Sequence, residues 1–489
     1  MHIIFITPEA MPCSRAGGLG DVSYFLPAAL AKMGHTVTVM VPKYRGAEDF
    51  SLTRLDNLSR TVDLSISRRQ AEFCELKISE GHRVILVDCP DLFDRPGIYG
   101  NEFGDYDDNA ERFIFFSKAV FSIIPELVDE NELTVIHAHD WPSGLVPMYI
   151  SVYANRQPKL SGLGTVFTYH NLDNQGTFPY YDFAMTGLDW SHFTFKGLEF
   201  HGLLNLTKAG LIGAHLISTV SHRYARETLG PEFGKGLEGL LKERHKNLRS
   251  VLHGVDYKIW DPATDQHIAQ NYDLRDLAGK EGCRRHLTTL FGLEDSTLPI
   301  VAVISRLLPR KGLDLIVKAM PKLLGFPLKF IFMGTGEDQY ISFLRETAAN
   351  NPKRVGLKLA YDPALMHHIV SGADIFLNPS RFEPCGLEQL YSLKYGTVPV
   401  VRATGGLDDT VVDVLAHPDK GTGFKFNDYS AEALTDTLST VMGRYDDRAG
   451  WASIMRRGML EDFSWERSAA AYEEIYSQAH GIAVEGGEG

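Results

Sequence analysis

The residues best placed to do chemistry lie in turns rich in glycine and charge. At positions 378–390 the chain reads Asn-Pro-Ser-Arg-Phe-Glu-Pro-Cys-Gly-Leu-Glu-Gln-Leu, an apolar run leading through a shaped turn into a helical stretch. Glu383 stands at the mouth of that turn, where a carboxylate can accept hydrogen bonds from hydroxyl groups. Cys385 has the type of a nucleophile, but no paired base is evident, so packing is its better reading. At 305–312 the order is Ser-Arg-Leu-Leu-Pro-Arg-Lys-Gly. Two cations at a strand-to-helix junction, Arg306 and Lys311, suit a diphosphate leaving group, with solvated surface charge as the rival reading. Thr404-Gly405-Gly406-Leu407 opens another helix, where backbone N–H groups suit phosphate. A further glycine loop, 333–337, enters a helix in the same way.

The first half of the chain carries a second set. Arg15-Ala16-Gly17-Gly18-Leu19-Gly20-Asp21 follows the first apolar run. Its adjacent glycines let backbone amides approach an anion, with Arg15 as a cation beside them. A dinucleotide fingerprint is disfavoured, because Ser23 stands where the third glycine belongs and the next strand ends Val41-Pro42-Lys43 without an acidic residue. In His137-Ala138-His139-Asp140-Trp141 the two histidines are expected on opposite faces of an extended segment, which disfavours a metal site. His137 is expected to pack in the strand. Asp140 and Trp141 are expected to face a cleft, where a carboxylate beside an indole suits a sugar; a buried structural Trp is the alternative. Tyr169-His170-Asn171-Leu172-Asp173-Asn174-Gln175-Gly176 is a dense polar cluster at a strand's carboxyl end, and His170 there is structural or catalytic on equal footing.

Short apolar strands separated by helices must position these loops. Strands are predicted at 2–7, 36–41, 83–87, 134–137, 165–168 and 216–220, with helical stretches at 21–33, 109–124 and 205–213. The alternation pauses near 249–263, passes a helix at 275–291, and restarts with strands at 300–304, 328–332, 355–359, 375–377 and 398–401 and helices from 311 and after 336. Strands of this kind belong to parallel sheets covered on both faces. The reading is therefore α/β, with two Rossmann-like doubly wound domains facing a central cleft: 1–252, then 253–464, then a helix at 465–480 and a frayed tail at 481–489. Ligands of such sheets bind beyond the carboxyl ends of the strands, which makes the crevice between the domains the expected active site.

Composition narrows the class. The 489 residues are 44% hydrophobic and 23% charged, as in soluble globular chains of several domains. Forty-nine basic against 62 acidic residues give −13, so nonspecific binding to nucleic acid or to an anionic membrane is disfavoured. No apolar run reaches eighteen residues, and the start, broken by Pro8, reads as a buried strand and not as a secretory signal. Five scattered cysteines without a CxxC pair point to a reducing compartment, the cytoplasm by default.

Taken together, these stretches resemble the bacterial glycogen and starch synthases, retaining glycosyltransferases of the GT-B fold. The likeness spans nearly the whole chain: the glycine-rich opening loop, HAHDW, the YHN loop, TKAGLIGAHLISTVS at 207–221, SRLLPRKGLDL, PSRFEPCGLEQL, TGGLDDTV and FSWERSA at 463–469. The resemblance implies an ADP-glucose donor, the non-reducing end of an α-1,4-glucan as acceptor, and no metal or cofactor. It implies that Arg306, Lys311 and the amides of Thr404, Gly405 and Gly406 hold the diphosphate, with Arg15, Gly17 and Gly18 closing on it. Glu383 would bind the donor glucose, His170 would sit near its transferred carbon, and Tyr361 would stack on the base. Cys385, Gly386 and Leu387 would line the donor, while Asp140, Trp141 and Asn171 would face the acceptor. It also implies that the final helix crosses back to the first domain. The chain departs from the family pattern at Arg15 (usually Lys), His253 (usually Asn), Asp173 and Asn174 (usually an apolar residue and Tyr) and His222 (usually Pro), and Tyr391 stands where the broader GT-B class has a second glutamate. With no plastid-type extension before Met1, a bacterial cytoplasmic enzyme is the expectation.

Overall fold

The structure is a computed structural model that describes residues 1–487. It divides into two units: 1–220 with 225–254 and the helix from Trp465, and 221–224 with 255–464.

The first unit is built on one ten-stranded sheet. From one edge its order is Leu248–Ser250, Leu216–Thr219, Gly164–Tyr169, Thr134–His139, His2–Ile6, Thr36–Pro42 and His82–Asp88, all parallel. Arg68–Ser79 then adds antiparallel, with Thr53–Arg54 and Arg60–Asp63 paired to it. The central strands are buried at every residue, because helices cover both faces. The long antiparallel strand is different. Its sequence, RRQAEFCELKIS, keeps most residues at least partly exposed and buries only Ala71 and Phe73. A half-solvated strand of that kind lacks the apolar run that betrays the others, so the sequence reading passes over 53–79.

The second unit has a six-stranded, wholly parallel sheet ordered Val355–Lys358, Lys329–Met333, Ile300–Ile304, Ile375–Asn378, Val398–Arg402, Phe424–Phe426. Its first strand shows the two-sided burial directly. Val301 and Val303 enter one apolar cluster, and Ile300, Ala302 and Ile304 enter another.

Numbered by chain order, the central parallel strands run 3-2-1-4-5-6 in both sheets. Strand order reverses beside strand 1, and the loops that splay apart there form a crevice at the carboxyl ends of strands 1 and 4. In the first unit these are the loops after Ile6 and His139; in the second, those after Ile304 and Asn378.

Two boundaries differ from expectation in ways that matter. The helix expected from Lys311 is a 3-10 turn, Pro309–Lys311, closed by Gly312 at φ 79°, and the α-helix is Leu313–Leu323. The left-handed glycine ends the turn, so Lys311 lies on it and not in the helix. The last helix runs from Trp465 to Gly487, past the expected end at 480; buried Ala479 and Ala483, four apart, carry its packed face onward. Of the tail expected to fray, 481–487 is therefore helical, and 488–489 lie outside the described residues. This helix packs on the first unit's sheet, where Tyr476 O–H meets Nδ1 of His137 at 2.8 Å. No helix of the described residues is long and apolar enough to cross a membrane.

Candidate functional site

In the first unit the glycine-rich loop is organised by a residue the sequence reading passed over. Glu9 is buried, and its Oε2 accepts from the N–H groups of Ala16 (2.7 Å) and Gly17 (2.8 Å). Its Oε1 accepts from Tyr99 O–H at 2.8 Å. Tyr99 is anchored in turn, since Asn109 donates to its carbonyl and the buried Arg112 holds Asn109. The amide of Gly17, read as an anion donor, is thus already bonded to a carboxylate of the chain itself. Gly18 begins the helix Gly18–Lys32. Arg15 is exposed and donates to Asp21 Oδ2 at 2.8 Å, a salt bridge that lays its guanidinium along the helix start. Ser23, which occupies the third-glycine position, bonds Thr7, just past the strand His2–Ile6, at 3.0 Å. A lone Glu between Pro8 and Ala10 carries no pattern; only the fold brings it to amides seven and eight residues on.

The loop after strand 4 turns sharply. Asp140 has φ 55°, and its Oδ1 accepts the backbone N–H of His170 at 2.7 Å. Burial pushes its carboxyl up to about 7, against that one opposing hydrogen bond. Trp141 packs edge-on to Phe113, with ring centroids 4.8 Å apart, and also against Phe178. Its ring closely approaches Gly176, where an added Cβ would lie 2.5 Å from the indole. The structural alternative for Trp141 therefore describes its contacts, while the ring remains partly exposed.

The expectation for the histidine pair is corrected. His137 and His139 share a face of their strand, with ring centroids 3.9 Å apart, because residues two apart on an extended segment point the same way. Both are fully buried. His137 is bonded at both nitrogens, to Tyr476 and to Thr168. His139 Nδ1 lies 3.0 Å from His170 Nε2. Burial holds His170 well below the ordinary histidine range, with the neighbouring His253 adding to the effect, so its ring is neutral. No cluster of three or more metal-ligating side chains occurs among the described residues. Asn171 caps its own turn, its Oδ1 accepting from Asp173 N–H, and Asp173 pairs with Lys235 at 3.2 Å.

In the second unit the crevice loops meet. Lys311 Nζ and Glu383 Oε2 are 2.5 Å apart, with side chains 19% and 8% exposed. Ser380 donates to the same Glu383 oxygen at 3.1 Å and to Asn378 Oδ1 at 2.6 Å, so the carboxylate is fixed from two loops. Arg306 lies exposed on the loop after strand 1 and makes no ion pair among the described residues.

The two glycine loops of this unit serve close backbone approach. Gly406 N–H donates to the carbonyls of Glu383 and Pro384, and a Cβ on Gly406 would lie 1.9 Å from the Cys385 carbonyl. Gly405, at φ 45°, fits as tightly against the Glu383 carbonyl. The Gly406 amide, read as a phosphate donor, is thus engaged in holding the Glu383 turn. Gly334 likewise approaches Ser305, within 1.8 Å of its carbonyl for an added Cβ. Cys385 is buried, Gly386 takes φ 73°, and Leu387 caps the short helix Glu388–Lys394. Tyr361 is 58% exposed, one residue before the cap Asp362 of the helix Pro363–Gly372.

Known proteins match this arrangement from end to end. Residues 2–243 match the starch synthase catalytic domain family, and residues 290–457 match the glycosyl transferases group 1 family. A glycogen synthase of Anaeromyxobacter sp. strain Fw109-5 is 43% identical over 479 residues, covering 97% of this chain and 99% of its own. The chain belongs to the glycogen synthase family. A glycogen synthase of Koribacter versatilis is 41% identical, with 98% of each chain covered. The solved catalytic domain of starch synthase IV from Arabidopsis thaliana, bound to ADP and acarbose, superposes with a TM-score of 0.85 at 31% identity, over 98% of this chain and 99% of that one. The two doubly wound units are accordingly the Rossmann-like α/β halves typical of GT-B glycosyltransferases.

Proposed function

We propose that this chain is an ADP-glucose-dependent glucan glucosyltransferase. It transfers glucose from ADP-glucose to the non-reducing end of an α-1,4-glucan, with retention of configuration, and releases ADP. The observation that carries the reading is the Lys311–Glu383 pair at the second unit's switch point. An ammonium has three donors, so Lys311 can hold Glu383 and still meet a phosphate oxygen. Glu383 then accepts from hydroxyls of the donor glucose while Lys311 and Arg306 stabilise charge developing on the departing diphosphate.

Tyr361 offers an exposed ring to the base. Thr404, Gly405, Gly406, Cys385, Gly386 and Leu387 shape the donor side. His170 attends the transferred carbon, and Asp140, Trp141 and Asn171 receive the acceptor glucan. The acceptor's proton leaves on the departing phosphate, so the residues chiefly position groups and stabilise the diphosphate. We place the reaction in the cytoplasm, a setting supported by five cysteines, none joined in a disulfide.

The test is release of nucleoside diphosphate by purified protein with glycogen, comparing ADP-glucose with UDP-glucose. Glycogen-dependent release from ADP-glucose is expected. Preference for UDP-glucose would keep the transfer and revise the donor, and release from neither would overturn the reading.

A further inference from the structure

His170 and His139 share one proton across 3.0 Å, and the surroundings of His139 decide where it resides. Burial holds both imidazoles neutral, far below the usual histidine range. In a neutral pair one ring donates and the other accepts. His139 is fully buried, stacked on Phe5 at 4.0 Å, and its other nitrogen, Nε2, finds no partner among the described residues. His137 cannot supply one, since both of its nitrogens are engaged.

If His139 accepted from His170, its own proton would sit on Nε2 as a buried donor with no acceptor. If His139 donates through Nδ1, Nε2 keeps only a lone pair. Orphaned buried donors are the rarer and costlier state. The geometry therefore points to His139 as a positioning residue that donates to His170 Nε2 and fixes His170 as the Nδ1–H tautomer. Among the described residues nothing bonds Nδ1 of His170, so that N–H is presented as a hydrogen-bond donor. Its partner is an oxygen of the sugar undergoing transfer, the one part of the inference that rests on the proposed function. The backbone of His170 is clamped independently, by Asp140, so ring state and ring position have separate anchors.

Protein labelled with 15N-histidine tests this without substrate. The His170 signals are identified by their loss in His170→Gln, and the ring-nitrogen shifts and couplings report its tautomer. The wild-type protein is expected to show Nδ1–H. His139→Asn, whose amide nitrogen can stand where Nδ1 stood, is expected to keep it, and His139→Ala to lose it. With the donor that the protein turns over, kcat is expected to fall about tenfold in His139→Ala at nearly unchanged donor KM, with most of the rate restored in His139→Asn. An Nε2–H tautomer in the wild-type protein, or an unchanged tautomer in His139→Ala, would overturn the inference. Because the tautomer is read in the free protein, failure of the glucosyl-transfer reading leaves this test intact.

Discussion

Lys311 and Glu383 show how one contact ties stability to chemistry. Both side chains are largely buried, so removing one leaves the other charge without its partner, a loss heavier than any single surface ion pair. Lys311→Ala strands a carboxylate that is 8% exposed, whereas Glu383→Ala strands an ammonium with more access to water. We expect both variants to lose at least about 100-fold in kcat, as when one strong transition-state contact is removed. We also expect Lys311→Ala to melt at the lower temperature of the two. Steady-state rates beside thermal unfolding check this, and near-normal turnover by either folded variant would remove the pair from the site. Both residues were legible in the sequence because charge type and turn context coincide there. Glu9 was not, since its meaning lies in amides that only the folded loop brings to it. The histidine pair was misplaced for a simpler reason: alternation along a strand puts residues two apart on one face, and the rings stack.

At the scale of elements, the strands and helices that were legible are those whose burial leaves a mark in composition. Parallel strands covered on both faces read as apolar runs, while the antiparallel edge at 53–79 does not. Glycine loops were legible as turns into helices, but the close backbone contacts they make were not. The Gly405–Gly406 pair is squeezed against the Glu383–Cys385 backbone, so its missing side chains set the position of the Glu383 turn. Gly406→Ala must displace a carbonyl 1.9 Å from the new methyl. We expect it to destabilise by about 2 kcal/mol or more and to lower kcat by at least tenfold, because the displaced turn carries Glu383. Gly443→Ala is the control. That glycine lies inside the helix Ala431–Tyr445 with nothing within 4 Å of an added Cβ, so the change is expected to stabilise by up to about 1 kcal/mol. Denaturant unfolding of the two variants should therefore move in opposite directions, and a harmless Gly406→Ala would show that the loop contact is slack.

For the molecule as a whole, titration separates the two units. In the first unit, burial lowers His2, His82 and His253 to about 4 and His137 to about 3, and holds His139, His170 and His215 below their ordinary range. In the second, burial lowers His368. An unfolded histidine takes its proton near pH 6.5, whereas these folded ones take it only at lower pH. Between those values the unfolded state binds more protons, so stability falls as pH falls. Each group contributes at most about 1.4 kcal/mol per pH unit. Asp140 acts in the opposite sense: with its folded value raised to about 7, it favours the folded state as pH drops toward 4, and Asp21 and Asp182, also raised by burial, act with it, but these are three groups against seven. We therefore expect Tm to fall steeply from pH 7 to pH 5, with amide exchange rising first in the first unit. His253→Asn, which puts the usual family residue at that position, should flatten the slope by about one proton. A Tm that is level across that range, or exchange that begins in the second unit, would show that the buried histidines take up protons without unfolding.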